Sequence, residues 1–267
     1  SFTLLTLVAA LSVSQTAIAN DSLRPAAESV SSVIDHYISK TIDNEGMAVV
    51  GMASDETILR RTTLDLAGRI PTQAERTWYA ELPKATRRPQ LVDRLMHLPD
   101  AEYHLANQLD GMLLPTKPFD NDFRDYLLRA TQQNRRWDQM FRDMMQANAT
   151  DGPLKGASVF LKSRIREVDD LTNDTAILFF GVNVSCAKCH DHPLVADWKQ
   201  DHYFGMSSFF SRTYLTKKKT LAEKYSGVVK FKTTAGKEKQ AEFMFLTGAS
   251  VKEPDRKKSK EELKKEE

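Results

Sequence analysis

Apolar residues recur at three- and four-residue intervals along most of this chain, the spacing that lines one face of an α-helix. Between Ala26 and Lys40 the stripe is Val30, Val33, Ile34, Tyr37 and Ile38. Asp55 to Leu66 repeats it with Ile58, Leu59, Leu64 and Leu66, behind Ser54 as N-cap. Gly68-Arg69-Ile70-Pro71 breaks the pattern. Thr72 followed by Glu75 then carries the capping-box signature of a new helix, which bears Trp78, Tyr79 and Leu82 and stops before Pro83. Arg88 to Leu98 and Tyr103 to Leu114 predict two more helices separated by Pro99-Asp100, and Asp122 to Ala130 and Trp137 to Ala147 a further pair. A loop at Thr150-Asp151-Gly152-Pro153 precedes helices at Val159 to Ser163, Asn173 to Asn183 and Lys199 to Phe210. After Tyr214 the period changes. Val228 to Thr233 and Gln240 to Thr247 alternate around Ala235-Gly236 and predict a β-hairpin. The expected fold class is mainly α: an irregular helical domain with a Cys-x-x-Cys-His segment and a small C-terminal β-hairpin.

Composition narrows the function classes. The 267 residues are 41% hydrophobic and 28% charged, which suits a folded chain with a core and excludes a disordered or collagen-like one. The net charge of +2 argues against a dedicated nucleic-acid binder. Two cysteines exclude a disulfide-stapled scaffold. No Gly-rich phosphate loop, GxSxG elbow or HExxH helix is present.

The two ends differ from the middle. Residues 2–19 are uncharged, and Ala17-Ile18-Ala19 before Asn20 is a small-x-small cleavage pattern, so 1–19 is read as an incomplete secretory signal peptide. Polar Ser12, Ser14, Gln15 and Thr16 leave too short an apolar run for a membrane span, and no transmembrane segment is expected beyond the signal. The expected organisation is a helical domain over 20–215, a small β element over 216–250 and a charged linker or tail over 251–267, with pairs such as Glu261–Lys265. The expected location is secreted or periplasmic, and a linker at the end suggests a further domain.

Both cysteines lie in Cys186-Ala187-Lys188-Cys189-His190, the spacing of c-type haem attachment. Two thiols three residues apart match the two haem vinyl groups, and the next imidazole falls where it can ligate iron. Cys186, Cys189 and His190 are therefore the candidate cofactor-binding residues, with His190 the proximal ligand. Met206 or His202, four residues apart on one predicted helix, are candidates for the distal side. Met144, Met145, His36, His97 and His104 are remoter ones. Leu178, Phe179, Phe180, Val182 and Val184 before the motif, and Leu194, Trp198, Phe204, Met206, Phe209 and Phe210 after it, could form an apolar cage or ordinary core. Rival readings stay open. Zinc could take Cys186, Cys189 and two of His190, His192 and His202, or the thiols could form a redox or structural disulfide. Asp191-His192-Pro193 admits a metal or proton-shuttle role for His192, or a capping and backbone-bonding role for the pair.

The run Phe179 to Phe210 closely resembles a domain-of-unknown-function family of secreted planctomycete-type cytochrome-like proteins. The matching residues are Gly181, Cys186-Ala187, Cys189-His190-Asp191-His192-Pro193, Trp198, Gln200, Tyr203, Gly205 and Phe209-Phe210. Arg60 to Thr72 is similar to that family's RRxxLDLxGxPPT signature, and Leu91-Val92-Asp93-Arg94-Leu95 is a weaker third match. The resemblance implies export, a cytochrome-like CxxCH segment and a second, larger domain in the complete protein. The function expected is electron transfer by haem c, serving an unknown redox partner or another domain. The alternative is a metal- or disulfide-stabilised binding module without a redox role. An electron-transfer or accessory domain is expected rather than a catalyst on its own, and enzyme status stays open.

Overall fold

The helical spacing is realised as ten α-helices in the computed structural model, which describes residues 24–115, 120–146, 151–193, 195 and 197–253. The signal segment 2–19, Leu194 of the expected cage, and the tail from 254 onward, with its Glu261–Lys265 pair, lie outside the described residues. The chain divides into two units, Ser1–Ser54 and Asp55–Glu267.

The first unit holds α1 (Val30–Asn44), capped by the Ser29 hydroxyl accepting from Ser32 N–H at 3.2 Å. Of its predicted stripe, Val30, Ile34 and Ile38 are exposed and Val33 and Tyr37 half-buried.

The second unit opens with α2 (Asp55–Ala67) and α3 (Gln73–Glu81). The predicted capping box forms: Glu75 N–H donates to Thr72 Oγ1 at 3.2 Å, and Thr72 N–H to Glu75 Oε2 at 2.7 Å. Next come α4 (Arg87–Met96) and α5 (Pro99–Leu113). Pro99 and Asp100 open α5 rather than separating two helices. Proline at the first helical position has no N–H to waste and its φ is already helical. Leu59, Tyr79, Leu91 and Leu95 join into one small core.

The larger core belongs to α5, α6 (Asn121–Gln132), α7 (Trp137–Gln146), α8 (Val159–Arg164) and α9 (Val168–Phe180). Phe123, Leu127, Met140, Met144, Phe160 and Leu171 are its buried centre. Met144 is a core residue and its neighbour Met145 is partly buried against the same cluster, the usual use of a flexible thioether. One polar knot crosses this core. Tyr126 Oη donates to Asp143 at 2.9 Å, and Arg135 forks onto the same carboxylate.

After α9 come a 3₁₀ turn (Ser185–Lys188) and α10 (Gln200–Ser208). Three antiparallel hairpins follow: β1 (Thr213–Leu215) with β2 (Leu221–Glu223), β3 (Lys230–Lys232) with β4 (Glu238–Gln240), and β5 (Phe243–Met244) with β6 (Ser250–Val251). The predicted hairpin about Gly236 is present, with Phe231 opposite Lys239. The predicted second strand, Gln240 to Thr247, is divided. Only Gln240 pairs with β3, whereas Phe243 and Met244 turn to pair with β6. The division follows from packing on α10. A Cβ at Gly205 would lie 2.5 Å from Met244 Cβ, so the strand rests directly on the helix backbone there.

Candidate functional site

The CxxCH segment is built outward from the end of α9. Gly181, at φ +69°, stops the helix in a left-handed turn. Asn183 Oδ1 then accepts from Ser185 N–H and hydroxyl at 3.0 and 2.7 Å and starts the 3₁₀ turn. A 3₁₀ helix repeats every three residues, so positions i and i+3 lie one above the other. Val184 and Ala187 are one such pair and face inward, both fully buried. Cys186 and Cys189 are another such pair, and both are free, exposed thiols. The spacing that reads as haem attachment in sequence is thus also the spacing that puts both sulfurs on one open side.

The backbone of the turn is held by residues from a distance. Ala176, Val184, Ala187 and Tyr203 form a small buried cluster beneath it, and Phe204 stacks on Phe231 of β3 at 4.2 Å. The buried Gln200 side chain donates to the carbonyls of Lys188 and Cys189, both at 3.3 Å, and to Lys232 O at 3.5 Å. Its Oε1 accepts from Thr234 N–H at 3.2 Å. One amide therefore ties the motif to the β3–β4 hairpin. Asp169, in the first turn of α9, takes Lys188 Nζ and the buried Tyr203 hydroxyl, the latter at 2.6 Å. The Lys188 ammonium, followed by the Tyr203 hydroxyl, holds the Asp169 carboxyl below its usual range. Burial, with the Asp169 carboxylate second, pushes the Tyr203 phenol up.

The three histidines of the segment differ in what they offer. His190 is exposed, and its Nδ1 lies 2.7 Å from the Asp191 carbonyl. A carbonyl only accepts, so in the neutral ring Nδ1 carries the proton and Nε2 the lone pair. His192 Nδ1 accepts from Val195 N–H at 3.1 Å, and His202 Nδ1 from Lys199 N–H at 3.1 Å. In the neutral ring the proton is then on Nε2, and ligation through Nε2 would cost each its backbone bond. Asp191 Oδ1 accepts from Gln200 N–H at 3.3 Å and caps α10.

The remaining sequence candidates are dispersed. Met206 is buried in the large core, whereas His202, four residues earlier on the same helix, is half-buried. Phe179 packs among Trp137, Phe141 and Phe160, Phe209 against Phe243 and Phe245, and Phe210 in the large core. His97 and His104 border a cleft on α4 and α5, and His36 lies in the other unit. Among the described residues no three His, Cys, Asp or Glu side chains are gathered as a metal ion would require. No helix of the described residues is long and apolar enough to cross a membrane.

The model of one family, described as PSCyt2, protein of unknown function (DUF1549), matches residues 33–214. The chain belongs to that family. The DUF1549 match takes in both Arg60 to Thr72 and the CxxCH turn, and it ends within β1, before the later hairpins. No curated protein and no solved structure matches the chain.

Gln200 and Asp169 were not legible as site residues. Gln200 stands in the Trp198-x-Gln200 pattern but gives no hint of which carbonyls it binds. Asp169 lies 34 residues from Tyr203, and no local signal joins them.

Proposed function

We propose that Cys186-Ala187-Lys188-Cys189-His190 is an attachment site for c-type haem on an exported electron-transfer domain of a larger protein. One observation carries the reading. Two exposed thiols share the open side of a 3₁₀ turn, next to an exposed imidazole whose Nδ1–H is engaged and whose Nε2 lone pair is not. That donor set fits the group: the thiols would hold it through thioethers and His190 Nε2 would ligate iron. Bound there, haem supplies reversible one-electron chemistry. The protein's part is to fix the turn through Gln200 and Asp169 and to orient His190 through the Asp191 carbonyl.

The alternative, a metal- or disulfide-stabilised binding module, is favoured by a different observation. The apolar side chains that flank the motif in sequence are largely spent on separate packing groups, and Met206, His192 and His202 are each engaged elsewhere.

The deciding experiment is a pyridine haemochrome spectrum with intact mass, on chain exported by a host with haem-c maturation machinery. The reading expects one covalent haem, lost in Cys189→Ala and Cys186→Ala. His190→Ala should lose or shift the Soret band, whereas His192→Ala should keep it. A folded, colourless chain would overturn the reading, and thiol counting with metal analysis would then separate disulfide from metal.

A further inference from the structure

The second sequence block, Arg60 to Thr72, is far from the CxxCH turn in role. It builds the wall of a separate cleft. The cleft has a volume of about 860 Å³ and lies among α2, α4, α5 and the end of α6. Its floor is apolar, from Leu64, Leu66, Met96 and Leu105. Met96 and Leu105 are respectively 55% and 50% exposed, although the core is a few residues away on the same helices.

Two devices in the block hold this shape open. Gly68, at φ +69°, sits against the ring of His104 so closely that an added Cβ would lie 2.3 Å from His104 Nδ1. Any side chain there would push the imidazole away from the wall. Arg69 donates to Asp100 at 2.5 Å and forks onto Glu75 with two bonds of 2.9 Å. Asp100 is in the first turn of α5, so the knot pins the start of the helix that supplies Glu102, His104 and Leu105 to the cleft. The two walls are therefore fixed relative to each other before any ligand arrives, which lowers the cost of binding.

The charge of the lining selects the ligand. Asp65 and Glu102 are the charged side chains of the wall, and no Lys or Arg lines it. A concave apolar floor with convergent polar groups is the ordinary form of a small-molecule site. With two carboxylates and no cation at its rim, it suits an apolar body bearing a positive head. We infer that this cleft binds a small amphipathic organic cation, in a role independent of the CxxCH turn.

The test uses dodecyltrimethylammonium as probe, below its micelle concentration, added to the full chain carrying ¹³C-methyl methionine. The Met96 methyl resonance reports the floor of the cleft. A saturable shift is expected with the ammonium probe. Dodecyl maltoside and dodecyl sulfate should bind more weakly, in that order. The double variant Asp65→Asn with Glu102→Gln should weaken the ammonium probe about five- to tenfold, as expected for two largely solvated charge contacts, while leaving its melting temperature unchanged. Leu105→Asp should abolish the shift. Absence of a saturable Met96 shift would overturn the proposal, as would equal binding of the three probes or an affinity untouched by the double variant. None of these outcomes bears on haem attachment.

Discussion

Removing the charge at Glu75 tests whether the Arg69 knot is an energetic element or only a contact. The Glu75 side chain is buried, takes both guanidinium bonds of Arg69 and accepts from Thr72 N–H. Arg69 chiefly holds its carboxyl down to about 2, from an ordinary value of 4.5. By linkage such a depression corresponds to about 3 kcal/mol, which screening at the one-third-exposed Arg69 trims to about 2 kcal/mol. The sign follows from which state binds the proton first. The unfolded chain takes it up near the ordinary value and the folded chain only near 2. The stabilisation is therefore fully present above about pH 5 and disappears as the pH falls toward 2. Glu75→Gln should lose about 2 kcal/mol at neutral pH and converge on the parent in acid. Urea unfolding followed by far-ultraviolet circular dichroism, at pH steps from about 7 down to 2.5, measures both curves. Asp169 and Glu253, also depressed by cationic partners, titrate in both proteins and cancel in the difference. Two curves that run parallel through the acid range would refute the reasoning.

Three other outcomes follow from the structure. Gln200→Ala should destabilise by about 1–2 kcal/mol because it removes the bonds of one buried amide to the Lys188, Cys189 and Lys232 carbonyls and to the Thr234 N–H, and hydrogen exchange should rise selectively at 185–190 and 230–240. Uniform exchange would deny Gln200 its role as the clamp. Gly68→Ala should cost more than the roughly 1 kcal/mol of a left-handed alanine, because its Cβ also meets His104, and the His104 ring resonances should shift; a change under 0.5 kcal/mol would contradict this. Met206→Ala should cost about 2–4 kcal/mol as a core cavity, and in haem-loaded chain the near-infrared sulfur-to-iron band should be absent before and after the change. Loss of such a band on mutation would make Met206 the distal ligand and refute its assignment to the core.

How much was legible depends on the reach of the interaction concerned. Helix existence was readable because amphipathic spacing and the Thr72–Glu75 box act within a few residues, whereas the helix expected over Asn173 to Asn183 in fact starts at Val168 and is stopped by Gly181. The Cys186-x-x-Cys189-His190 spacing was readable for the same reason, since it lies within one turn of chain. The boundary at Pro99 was not, because proline reads as a break until its place in the first turn is known. The division of Gln240 to Thr247 was not either, because alternation marks a strand but not its partner.

The sequence by itself determined the mainly helical class, most helix positions, the family and the Cys-x-x-Cys-His spacing. Each is a local property, encoded by a short spacing and insensitive to the rest of the fold. Only the tertiary structure decided that Met206 and Phe179 serve the core, that the Nδ1 atoms of His192 and His202 are taken by backbone N–H groups, and that Gln200 and Asp169 hold the turn. It alone showed Arg60 to Thr72 framing a cleft of its own. These outcomes turn on which distant groups share a buried space, because burial makes each polar atom find a partner and each apolar one a neighbour, wherever in the chain that partner lies.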